Sequence, residues 1–184
     1  MSTPKYKDLF KFVKQKNSSL LQQYQKLLEQ KLKDKTSYTK EIKSVGILTT
    51  DEISSDYNLQ FHIEKILNVR NSKIYSFRKH DKDNPESYKH FSDQEISKSG
   101  KILDVSFKSF IEHPFDLLIC FFDKKNVFLE YTALLSEAQF KAGIANVNKE
   151  LYDLQVICKS DNIEDFTVEL KKYLQILNRL PLDS

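Results

Sequence analysis

The sequence predicts an α/β fold: a Rossmann-like, mostly parallel sheet of about five strands with helices on both faces, preceded by a basic N-terminal helical arm. Three observations carry this expectation. Apolar runs of strand length alternate with stretches whose apolar residues recur every three or four positions, the order that crossover connections produce. Only three Gly and four Pro occur in 184 residues, which favours long helices over a loop-heavy β protein. Thirteen Phe and nine Tyr, against no Trp and one Met, point to an aromatic core.

Residues 1–43 are expected to form the arm, and residues 44–184 a single domain. In the arm, Leu9, Phe10, Phe12 and Val13 make a first apolar cluster, which Asn17-Ser18-Ser19 interrupts. Ser18 or Ser19 is placed to cap a second helix, on which Leu20, Leu21, Tyr24, Leu27, Leu28 and Leu32 share one face.

From Ser44 the pattern changes. Val45-Gly46-Ile47-Leu48-Thr49-Thr50 is nearly continuous in apolar character, as a strand buried on both faces would be. Residues 57–68 follow with Leu59, Ile63, Ile66 and Leu67 at helical spacing, and Lys73–Arg78 reads as a second strand. The polar stretch 79–100 reads as a long loop. Residues 104–112 form a short helix that Pro114 stops.

Phe115–Phe122 is the most hydrophobic strand and is expected at the centre of the sheet. Residues 127–139 are helical, with Leu129, Ala133, Leu134 and Ala138 inward, and Phe140–Ala145 and Leu154–Cys158 are strands. Asp161 stands three residues before Glu164, a capping-box spacing that opens a last helix. That helix is expected to run to about Leu180, with Phe166, Leu170, Tyr173, Leu174 and Leu177 on its buried face.

Charge is divided unevenly along the chain. Residues 1–43 hold eleven Lys and four acids, a net +7, while the remainder holds 18 Lys/Arg and 22 Asp/Glu, a net −4. A basic arm on a mildly acidic body suits an anionic partner, with RNA or the ribosome foremost and Lys11, Lys14 and Lys16 as the contacts. A purely solvated lysine face is the competing reading. A protein partner for the body and a peripheral membrane contact for the amphipathic arm stay open.

No secretory signal and no stretch of roughly 18 apolar residues is found, so no transmembrane segment is expected. Cys120 and Cys158 both lie in apolar runs and form no CxxC pair, which fits a reducing, cytoplasmic setting.

In a sheet of this kind, ligands bind beyond the carboxyl ends of the strands. Those ends supply a candidate ligand edge of Thr49, Thr50, Asp51, His80, Asp123 and Ser160. If the first and the central strand pair, Asp51 and Asp123 become neighbours. The first turn reads Thr49-Thr50-Asp51-Glu52, with no glycine to admit a pyrophosphate, and no GxxxxGK[ST] occurs. His62, His80, His90 and His113 form no metal-binding spacing, so neither a metal nor a cofactor is expected. Catalytic residues are not identifiable, and an enzyme is not the favoured reading.

Two resemblances add to this. FDLLICFFDKKNVFLEYTALLSEAQFKAGIAN, residues 115–146, resembles part of the N-terminal Rossmann-like half of bacterial heptosyltransferases, with LSEAQFKAGIA as the end of helix and start of strand. That family's glycine–aspartate turn is replaced by Thr49-Thr50-Asp51, and its sugar-nucleotide-binding half has no counterpart. The resemblance therefore implies the fold and speaks against transfer. SVGILTTDE, FDLLICFF, AQFKAGI and FTVELKKYLQILNRL, following a Lys-rich helix, resemble an uncharacterised family of small bacterial cytoplasmic α/β proteins. That resemblance implies an intracellular single-domain protein and assigns no activity.

The sequence thus leaves function unknown. The favoured expectation is a non-catalytic binding or adaptor protein whose basic arm contacts RNA or the ribosome. The alternative is a small-molecule or nucleotide-binding domain related to a degenerate glycosyltransferase half.

Overall fold

The two most apolar runs lie side by side at the centre of the sheet. The computed structural model describes residues 18–33, 41–83 and 89–182. β1 (Val45–Thr50) and β4 (Leu117–Phe121) pair in parallel, with Ile47 opposite Ile119. Around them stand β2 (Lys73–Phe77), β3 (His90–Phe91), β5 (Lys141–Ile144) and β6 (Leu154–Val156). The order is β3-β2-β1-β4-β5-β6, and every neighbouring pair is parallel.

The sheet is therefore wholly parallel and has six strands where about five were expected. The extra strand is β3, inside the stretch expected to be loop. Two residues cannot show a strand period, but Phe91 is fully buried, stacked on Phe107 at 4.2 Å between ring centroids. Ile96 and Ile102 also form an antiparallel bridge in that region.

Helices cover both faces. α1 (Ser18–Lys33), α4 (Val105–Ile111) and α5 (Val127–Leu135) pack with Leu48, Leu118 and Cys120 on one side. α3 (Leu59–Leu67) and α6 (Ile163–Ile176) pack with Ile47, Ile119 and Ala142 on the other. A short α2 (Asp51–Asp56) leads from β1 into α3. Strand progression reverses at β1, and the crossover helices α3 and α5 lie on opposite faces, as right-handed connections require.

Asparagine and aspartate side chains set most helix starts. Asn58, Asp104 and Asn126 each accept a backbone N–H of the first turn. α6 begins one residue later than the expected capping box, because Asn162 rather than Asp161 is the cap and accepts from the Asp165 N–H at 3.0 Å. It also ends before Leu180: Asn178 adopts a left-handed φ of 54°, which ends the helix ahead of Pro181. α5 stops at Leu135, so Ala138 lies beyond it.

α1 is docked through Leu20, Leu21, Tyr24 and Leu28, all buried. Leu32, expected on that face, is 51% exposed, and Tyr173 of α6 and Leu177 just beyond it, expected on the buried face of the last helix, are 39% and 47% exposed. At β5, Gly143 lets the ring of Tyr152 lie directly on the strand; a Cβ there would approach the ring to 2.5 Å.

Candidate functional site

Each strand end on the carboxyl edge has a definite local task. Thr49 is fully buried and its hydroxyl donates to the Phe121 carbonyl at 2.7 Å, tying β1 to β4. Thr50 is the N-cap of α2. Asp51 follows at the helix start. Its Oδ1 lies 2.8 Å from His90 Nε2, and its Oδ2 lies 3.9 Å from an Arg78 guanidinium nitrogen. The Ser160 hydroxyl donates to Asp123 Oδ2 at 2.6 Å. The backbone N–H of His80 reaches Asp93 Oδ1 at 3.5 Å.

The pairing of β1 with β4, left open by the sequence, places Asp51 and Asp123 at neighbouring strand ends. Their carboxylates nonetheless serve different partners. Asp51 engages His90 and Arg78 on the β2–β3 side, and Asp123 engages Ser160 beyond β6. Of the expected edge residues, Thr49 and Thr50 act within the scaffold. Lys11, Lys14 and Lys16 lie outside the described residues.

The register brings together a different set. Thr49, Ser76 and His90 are opposite one another across β1, β2 and β3, so they line up on the sheet face that α3 covers. Beyond α3 this row opens into a cleft of about 400 Å³, bounded by the α2–α3 turn on one side and β2–β3 on the other. Ser54, Ser55, Tyr57, Asn58 and Gln60 form one wall, and Ile74, Ser76, Lys89 and His90 the other. Its volume falls in the range of small-molecule sites, roughly 300–1,000 Å³.

Several wall groups are already occupied. The Ser54 hydroxyl donates to the Asp51 carbonyl at 3.0 Å, Gln60 Nε2 to the Ser72 carbonyl at 2.6 Å, and the Tyr57 hydroxyl to the Asp161 carbonyl. Asn58 Oδ1 caps α3, which leaves its amide nitrogen directed elsewhere. Among the described residues, the hydroxyls of Ser55 and Ser76 and the Asn58 side-chain nitrogen have no hydrogen-bond partner within the protein. Among the described residues lining the cleft, the basic side chains are Lys89 and His90, and none is an Asp or Glu.

The thiols offer no nucleophile. Complete burial pushes Cys120 up to about 12 against the pull of nearby Lys141. Partial burial, reinforced by Asp165, Asp123 and Asp161, pushes Cys158 up to about 11. Among the described residues, no group of three or more His, Cys, Asp or Glu side chains is arranged to hold a metal ion, and no helix is long and apolar enough to cross a membrane.

One family model matches residues 16–177, from just before α1 through the end of α6. The chain belongs to that family, DUF6913, a family of unknown function. The DUF6913 match includes every residue of the cleft and the docked helix α1. No curated protein and no solved structure matched the chain.

Proposed function

We propose that this DUF6913 chain is a small-molecule-binding domain that seats a small anionic ligand, a carboxylate or phosphate monoester, in the cleft between the α2–α3 turn and β2–β3. The observation that carries the reading is the lining. Lys89 and the His90 imidazole stand with the hydroxyls of Ser55 and Ser76 and the Asn58 amide, and no Asp or Glu is among the described residues that line the cleft. Asp51 sits behind His90 and orients its ring. The glycine-free turn after β1, with acids at the start of α2, disfavours a pyrophosphate at the central crevice. Kinship with a degenerate glycosyltransferase half belongs to the same reading and rests on the resemblance of residues 115–146.

Titration calorimetry with inorganic phosphate and with succinate, and with glycerol as neutral control, tests it. Binding of the anions is expected, weakened about tenfold or more by Lys89→Ala or Ser76→Val, since a hydrogen bond to a charged group contributes about 1.5–3 kcal/mol. No heat from either anion would count against the reading.

A second reading concerns the basic arm of residues 1–43, set before the α/β domain of residues 44–184. It rests on the net +7 of that segment and on Lys26 and Lys33 of α1, which face solvent while the opposite side is docked. We propose an anionic partner in a bacterial cytoplasm, RNA or the ribosome. Each phosphate contact contributes about 0.7–0.9 to the slope of log affinity against log salt. A slope of a few units, flattened by neutralising Lys11, Lys14 and Lys16, is expected. Salt-insensitive binding would point instead to a protein partner.

A further inference from the structure

A second polar cluster lies under α1, away from the cleft. Glu130 of α5 is 1% exposed. Its Oε2 accepts the Tyr24 hydroxyl of α1 at 2.8 Å, and the Tyr24 oxygen in turn accepts from Asn148 Nδ2 at 2.7 Å. Glu130 Oε1 and the Tyr152 hydroxyl are both buried without a hydrogen-bond partner. Buried polar atoms are nearly always paired, so a carboxyl oxygen and a phenol without a partner in the protein single out this buried cluster.

We propose that the docking of α1 on α5 is coupled to a proton on Glu130: α1 is held firmly while Glu130 is the neutral acid and is loosened when Glu130 ionises. An ionised carboxylate here would have one oxygen with no donor in a nearly water-free interface. Lifting α1 lets water reach Glu130, Tyr152 and Asn148 together. The groups facing Glu130 come from each element around it. Tyr24 comes from α1, and Asn148 and Tyr152 from the β5–β6 connection. Lys125 precedes α5. Of the other charged groups on α1 and β5, Lys31 pairs with Asp153 at 2.8 Å and buried Lys141 donates to the Ser136 carbonyl. Burial pushes Glu130 above the ordinary carboxylate value, against the smaller pull of the Tyr24 hydrogen bond, the nearby Asn126 backbone and the charge of Lys125.

The sign of the linkage follows. The docked state binds the Glu130 proton more tightly than the lifted state, so the docking contribution is full below the ordinary value of 4.5 and is lost as pH rises toward the docked value. Within that window the opening of α1 becomes up to about tenfold easier per pH unit.

Native-state hydrogen exchange on the full chain tests this, with rates corrected for intrinsic pH dependence. Protection of the α1 amides from Leu20 to Leu32 is expected to fall with pH above 4.5, by up to about tenfold per unit, while that of α6 does not follow it. Glu130→Gln keeps an acceptor for Tyr24 and has no proton to lose, so α1 protection should become level with pH. A level profile in the wild type, or an equal slope in Glu130→Gln, would overturn the proposal. Carbon NMR titration of the Glu130 carboxyl in the wild type carries the test even if that variant does not fold. A midpoint above 4.5 is expected, and one at or below it would overturn the proposal.

Discussion

Asp51 Oδ1 lies 2.8 Å from His90 Nε2, joining the first residue beyond β1 to the edge strand β3 across the end of β2. This contact holds the His90 ring that lines the cleft. Both side chains are about a quarter exposed, so the pair is worth little to global stability. A double-mutant cycle of Asp51→Ala and His90→Ala in urea should return a coupling of about 0.5–1 kcal/mol. The same Asp51→Ala change should weaken anion binding in the cleft without unfolding the chain. Unaltered binding would show that Asp51 does not position His90.

Leu118 tests the centre of the sheet. It is fully buried in β4, paired with Gly46 on one side and Lys141 on the other. Leu118→Ala should lower unfolding free energy by about 2–5 kcal/mol, as truncation in a packed core does. A loss well under about 1 kcal/mol would place the strand at the periphery.

Lys141 gives a pH dependence of opposite sense to that of Glu130. Burial, with repulsion from Lys31, lowers it from the ordinary 10.5 to about 8. The folded state then binds its proton less tightly than the unfolded chain. Stability should be lowered by about 3 kcal/mol while Lys141 is charged in both states, and should recover as pH rises from about 8 to 10.5. Urea unfolding across that range should show the rise, and Lys141→Met should remove it. An unchanged rise in the variant would assign it to another group.

Five of the six strands were legible in the sequence, and the two at the centre most plainly. Val45–Thr50 and Phe115–Phe122 announce themselves because a central parallel strand has no polar side to show. β3 does not, because its two residues owe their place to Phe91 packing on Phe107 and Phe77, contacts that no local pattern encodes. The same holds for the cleft. Asp51 was legible as a strand-end residue, since fold class alone directs attention there. Its partner His90 sits in a stretch that reads as loop, and Ser76 looks like an ordinary polar position in a strand. Only the register Thr49–Ser76–His90 unites them. The Tyr24–Glu130 bond spans 106 residues and was equally hidden; an acid inside an apolar helix face was the one available sign.

The most direct test of the cleft is a proton–nitrogen correlation titration of the full chain with inorganic phosphate, repeated with succinate. The account predicts saturable shifts concentrated at Ser54, Ser55, Asn58, Ser76 and His90, with α6 unmoved and the midpoint raised about tenfold or more by Lys89→Ala. Shifts that are absent, that fail to saturate, or that gather on the lysines of residues 1–43 instead would contradict it.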